Sequence, residues 1–122
     1  SDPVLSWEPS LGLTDIEFID SPKYGDQFRN NLLVGDITNG NLYFLREDSN
    51  RTGLVFDNPE IQEDLVINGD EELEDIILGT GFEGITDIKT GPDGFIYVLT
   101  FDQDSEGAGS IYRISPAANS LV

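Results

Sequence analysis

Apolar residues fall in short runs along this chain, and turn-forming residues separate the runs at close intervals. Leu32-Leu33-Val34-Gly35-Asp36-Ile37 and Leu42-Tyr43-Phe44-Leu45 are two such runs, joined by Thr38-Asn39-Gly40-Asn41. Phe95-Ile96-Tyr97-Val98-Leu99-Thr100 and Ile111-Tyr112-Arg113-Ile114 make a second pair, joined by a polar loop that carries glycine. β-Branched and aromatic side chains suit a pleated, half-buried surface, so these runs read as strands. Asn39-Gly40 predicts a hairpin, because both residues tolerate positive φ. Gly91-Pro92-Asp93-Gly94 predicts a tight turn.

An internal repeat organises these strands. Gly12-Leu13-Thr14-Asp15-Ile16-Glu17 recurs as Gly84-Ile85-Thr86-Asp87-Ile88-Lys89, and each copy precedes a turn and one of the strand pairs. The order per unit is strand, turn, strand, hairpin, strand, then an outer strand, for which Leu54-Val55-Phe56 serves in the first unit. A four-stranded unit repeated radially is a propeller blade, and blades run to about 40–45 residues in the common repeats. The pattern therefore predicts an all-β fold of two four-stranded antiparallel blades. Residues 1–57 hold the first blade and a preceding segment, 58–80 an acidic insertion, and 81–122 the second blade. Within the insertion Asn58 can cap a helical turn that Pro59 and Glu60 open. The competing architecture is a sandwich of two similar β-meanders, which leaves the matched Thr-Asp-Ile segments as coincidence.

Charge narrows the range of partners. Six basic residues against 24 acidic ones give a net charge of −18, with no histidine. Such a surface repels nucleic-acid phosphates and anionic lipid heads. No run of 18 apolar residues is present to span a membrane. There is no cysteine, so no disulfide or thiolate metal site. The start at Ser1-Asp2-Pro3 suggests either a removed leader or a piece of a longer chain. Asn50-Arg51-Thr52 is an N-glycosylation sequon on a turn.

Several residue groups invite a chemical reading. Gly79-Thr80-Gly81-Phe82-Glu83-Gly84 matches the dinucleotide fingerprint in letters, but it leads into a strand, where the phosphate site needs a helix N-terminus. Asp102, Asp104 and Glu106 open with calcium-loop spacing, yet the closing glutamate position is Arg113. That leaves either a weaker oxygen-ligand site or a solvated acidic loop. Asp70, Glu71, Glu72, Glu74 and Asp75 form a second acidic run, most simply a wet face. Asp15 and Asp87 hold the same place on the expected innermost strands. They either accept backbone N–H bonds that link neighbouring blades or line the central channel and hold a cation.

The motifs together resemble a known family. Trp7-Glu8-Pro9-Ser10, the hairpin carrying Gly40-Asn41-Leu42-Tyr43, Asp87 through Thr100 and Ser110-Ile111-Tyr112-Arg113-Ile114-Ser115-Pro116 are similar to the last part of soluble quinoprotein glucose/sorbosone dehydrogenases. The resemblance implies the closing blades of a six-bladed wheel, in a secreted, extracellular or periplasmic setting. It also implies sugar oxidation by pyrroloquinoline quinone (PQQ) with calcium and a histidine base. That base is absent from this chain. The family's cationic quinone contacts fall on Thr38, Gly84 and Thr86, so PQQ binding by this segment is doubtful. Trp7 matches a position near the family's sugar site. The remaining blades, in the same or another chain, are the implied partners. Alternatives are a non-catalytic extracellular binding propeller, or a small subunit that assembles its ring as a homo-oligomer.

Overall fold

The computed structural model describes residues 3–8, 11–50, 53–101 and 109–115. Strands β2 (Leu13–Ile19), β3 (Asn31–Asp36) and β4 (Leu42–Glu47) form an antiparallel meander. Two short strands share its outer edge. β5 (Leu54–Val55) pairs with Arg46 and Glu47, while β7 (Ile77–Gly79) pairs with Leu42 and Tyr43. The second blade is the meander β8 (Gly84–Thr90), β9 (Ile96–Phe101) and β10 (Gly109–Ile114). The fold is thus all-β, with two antiparallel blades side by side.

The two blades repeat in detail. β2 shifts register against β3 between Leu13 and Asp15, and β8 shifts against β9 between Ile85 and Asp87. A bulge at the same place in both innermost strands re-aims the following side chain. It turns Asp15 toward β8. Between the blades lies an apolar layer of Ile19, Leu33 and Leu42 from the first and Ile85, Ile88, Ile96 and Val98 from the second. Each fully buried aliphatic side chain contributes roughly 1.5–3 kcal/mol, so this layer is the main adhesive of the pair. Gly35 allows the close approach, since a Cβ there would lie 2.5 Å from Ile85 Cγ2. Tyr24, from the link between β2 and β3, reaches into the second blade. Its hydroxyl accepts from Ile96 N at 2.7 Å and donates to Ile114 O at 2.6 Å.

The acidic segment 58–80 is woven into the first blade. Asn58 caps α1 (Pro59–Asp64), its side chain accepting from Glu60 N at 3.0 Å. After α1, β6 (Val66–Asn68) pairs in parallel with β1 (Ser6–Glu8), placing Trp7 beside Ile67. α2 (Gly69–Glu74) carries Asp70, Glu71 and Glu72 in its first turn, where the helix dipole favours negative charge. Ile61, Ile67 and Ile76 bury themselves against Val34, Tyr43 and Leu45, on the face of the first blade that looks away from the second. The turns follow from local chemistry. Gly94 N donates to Gly91 O at 2.9 Å, and Gly94 takes φ +86. In the β3–β4 connection only Gly40 adopts positive φ, so the chain makes a wider turn than a two-residue hairpin. The Asp36 carboxyl holds that turn by accepting from Thr38 N and Asn39 N.

Candidate functional site

Two groups of residues carry the chemistry. The first is where the innermost strands meet. Asp15 Oδ1 accepts from Ile16 N at 2.8 Å, and Asp15 Oδ2 accepts from Ile88 N at 2.7 Å. Asp87 Oδ1 accepts from the same Ile88 N at 2.9 Å, so each aspartate closes the same local turn and Asp15 also crosses to the next blade. Thr14 Oγ1 donates to Ile85 O, and Glu17 Oε2 accepts from Thr90 N at 2.8 Å and Thr90 Oγ1 at 2.9 Å. Lys89 Nζ stands 3.9 Å from Asp87 Oδ1.

The two carboxyls move apart in acidity. Burial works against a charge on Asp15, but bonds from Asp87, Ile88 and Ile16 and the nearby Lys89 outweigh it, and its pKa falls below the ordinary value. Asp87 is pushed the other way, chiefly by its contact with Asp15 and then by burial. Because Asp15's folded pKa is lowered, its contribution to stability is present above the unfolded value near 3.8. It is lost as pH falls through the lowered folded value. An Asp15→Asn variant should be less stable at neutral pH by about 1 kcal/mol, the value of a charge-assisted bond discounted for its exposure. Urea melts across pH should show that gap closing in acid; a gap independent of pH would contradict the assignment.

The second group surrounds Trp7. Its ring lies 6.3 Å from that of Tyr43. The Tyr43 hydroxyl donates to Asp36 Oδ2 at 2.8 Å, and Asn41 Nδ2 donates to Tyr43 at 3.3 Å. Burial, with the Asp36 carboxyl adding to it and Asn41 opposing, pushes the Tyr43 phenol up to about 12. The Trp7 indole N–H is buried and has no acceptor among the described residues. Trp7, Glu8, Thr38, Asn39 and Asp70 line a cavity of about 270 Å³. A larger cleft of about 610 Å³ lies at the outer edge of the blade, between β4 and α1, away from both groups.

The other sites read from the sequence are placed as follows. The segment 79–84 joins strand to strand, with Phe82 N donating to Gly40 O at 3.1 Å, so its glycines serve a turn that packs on the first hairpin. Asn50 is exposed in the turn after β4. Asp102, Asp104 and Glu106 lie outside the described residues. Among the described residues no group of three or more acidic side chains is arranged to hold a metal ion, and no helix is long and apolar enough to cross a membrane. The interaction of Asp36, Tyr43 and Trp7 was not anticipated. The one signal for it was an acid closing an otherwise apolar strand just before the turn.

Thr38, Gly84 and Thr86, where the resemblance sets the quinone's cationic contacts, offer no cation and little room for one. Thr38 is exposed on the hairpin, and its N–H is taken by Asp36 at 2.7 Å. At Gly84 a Cβ would lie 3.0 Å from Phe101 O and 3.1 Å from Ile37 O, so a long basic side chain has no room. Thr86 Oγ1 donates to Leu99 O at 3.1 Å. The described cations are engaged elsewhere: Arg29 with Asp20, Arg46 with Asp57, Lys89 with Asp87, and Lys23 and Arg113 over the Phe95 ring.

Comparison with known proteins places the chain in a family. The chain is 28% identical over 115 residues to the aldose sugar dehydrogenase YliI of Escherichia coli (strain K12), a match covering 93% of this chain and 24% of that protein. It thus spans about a quarter of that relative's length. No solved structure matches it. The family model for glucose/sorbosone dehydrogenase matches residues 1–113. With nearly the whole chain covered and the repeated strands in place, this chain belongs to the glucose/sorbosone dehydrogenase family.

Proposed function

We propose that the chain supplies two adjacent blades of a sugar-dehydrogenase wheel that oxidises an aldose outside the cytoplasm, and that it contributes a sugar contact while other blades carry the chemistry. The observation that carries this reading is the buried Trp7 indole N–H, without an acceptor among the described residues, beside a cavity lined by Asn39 and Asp70. An aromatic face with polar groups around it suits a sugar, whose C–H face packs on the ring while its hydroxyls take the hydrogen bonds. A quinone and its calcium would be held by blades beyond this chain, because Thr38, Gly84 and Thr86 offer an anion no charge. The family's histidine base would also lie there, since this chain has none.

The absent cations also favour a second reading, a non-catalytic extracellular propeller that keeps the fold for binding or structure. An aldose titration tests the sugar contact. Trp7 is the chain's single tryptophan, so its emission reports on the cavity directly. Titration with aldoses should change Trp7 emission saturably, and Asn39→Ala should weaken the response about tenfold, roughly one hydrogen bond. An emission that no aldose alters would remove the sugar contact and favour the structural reading. The chain supplied with PQQ, calcium, glucose and an electron-accepting dye should not reduce the dye. Turnover would place the chemistry on these blades and overturn the division of labour.

A further inference from the structure

The cavity beside Trp7 carries charge of one sign. Glu8 follows Trp7 on β1 and pairs with Asn68 of β6. Just beyond Asn68 the chain turns through Gly69, at φ +73, and Asp70 stands in the first turn of α2. The parallel pairing of β1 with β6 thus brings Glu8 and Asp70 to one cavity, and both line it. Glu72, in the same helical turn, is folded back, its Oε1 accepting from Asn68 N at 3.0 Å. Glu8 and Asp70 are exposed, and neither has an ion-pair partner among the described residues. No lysine or arginine among the described residues lines the cavity. Its donors are neutral: the Thr38 hydroxyl, the Asn39 amide and the Trp7 indole N–H.

We propose that Glu8 and Asp70 determine which aldoses this cavity takes: uncharged sugars and amino sugars are held, while sugar acids and sugar phosphates are turned away. The inference rests on the sugar contact at Trp7 and adds its selectivity. A carboxylate accepts hydrogen bonds and donates none. A sugar hydroxyl can donate to Glu8 or Asp70, and an ammonium group donates with its charge assisting. A sugar carboxylate or phosphate brings acceptors to acceptors and like charge to like, with no cation to meet it. The net charge of −18 acts in the same direction at longer range. Beside an open cavity the medium is nearly water-like, so each carboxylate changes the affinity of a singly charged sugar about threefold, and the two together about tenfold. Forces between exposed charges are screened by salt, which gives the selectivity a signature that shape alone lacks.

The test titrates Trp7 emission with glucose, glucuronate and glucosamine at about pH 6, where the amine carries its proton. In about 0.01 M salt glucuronate should bind about tenfold more weakly than glucose, and glucosamine about tenfold more tightly. In about 1 M salt, where the screening length is about 3 Å, the three should bind within about twofold of one another. Glu8→Gln and Asp70→Asn each keep the side-chain shape and remove one charge, so each should narrow both gaps in low salt to about threefold. The ratio between sugars is the readout, and a general loss of affinity in a variant does not enter it. Equal binding of glucose and either charged sugar in low salt overturns the charge selection and leaves the sugar contact standing. A gap that high salt leaves intact overturns it as well, since shape would then set the preference. A salt-sensitive gap that neither variant narrows overturns the assignment to Glu8 and Asp70. An emission that none of the three sugars alters overturns the sugar contact itself, and the selectivity with it.

Discussion

Asp36→Ala should destabilise the chain at neutral pH by about 3 kcal/mol. Asp36 is fully buried and accepts three hydrogen bonds, from the Tyr43 hydroxyl at 2.8 Å and from Thr38 N and Asn39 N at 2.7 and 3.2 Å. Alanine removes the acceptor and leaves a buried hydroxyl and two turn N–H groups without partners. Stranding the buried hydroxyl costs about 1–3 kcal/mol and the N–H groups of the exposed Thr38 and Asn39 less, about 3 kcal/mol in all. A domain of this size is stable by about 5–15 kcal/mol, so the loss is a large share of what a weak fold has. Asp36→Asn keeps an oxygen for the turn and should lie between the two. Urea unfolding followed by Trp7 emission measures it, because the Trp7 ring lies 6.3 Å from Tyr43. An Asp36→Ala midpoint close to that of the wild type would mean that the turn finds another acceptor, and that Asp36 does not hold the rim beside Trp7.

The strands, the blade repeat and the matched places of Asp15 and Asp87 were legible because they rest on local signals. Alternation and turn residues mark β3, β4, β9 and β10, and the repeated Thr-Asp-Ile segment marks β2 and β8. The Asn58 cap was legible for the same reason. What stayed hidden depends on partners distant in the chain. β1, β6 and β7 are three residues each, too short for any periodicity, and they are strands only because Ile67 meets Trp7 and Gly79 meets Leu42. The reach of Asp15 to Ile88, 73 residues away, depends on a bulge that no local pattern announces. Asp36 looked like a turn acid, and so it is. Its burial comes from Tyr43, whose hydroxyl returns across the hairpin. The crowding at Gly84 was likewise hidden, since it comes from the backbone of Ile37 and Phe101, 47 and 17 residues away.

Gly40→Ala tests how the hairpin and the inter-blade turn are joined. Gly40 has φ +68, and a Cβ there would sit 2.0 Å from Glu83 O and 2.5 Å from Glu83 N, both backbone atoms. No rotamer change relieves such a clash. The segment 79–84 must move as a unit, breaking the bond from Phe82 N to Gly40 O and pulling at Gly84, where β8 begins. Positive φ alone costs alanine about 1 kcal/mol; the clash and the lost bond raise the total to about 3 kcal/mol or more. Gly81 supplies the control, since it has φ +82 but nothing within 4 Å of a Cβ. Gly81→Ala should therefore show the backbone term alone. In urea melts of the two variants, Gly40→Ala should be the weaker by about 2 kcal/mol, and the difference measures the contact between the blades' connecting loops. Equal midpoints would show that the loop at 79–84 yields freely. The second blade would then be held to the first by the apolar layer and the Asp15 bond, without help from the hairpin.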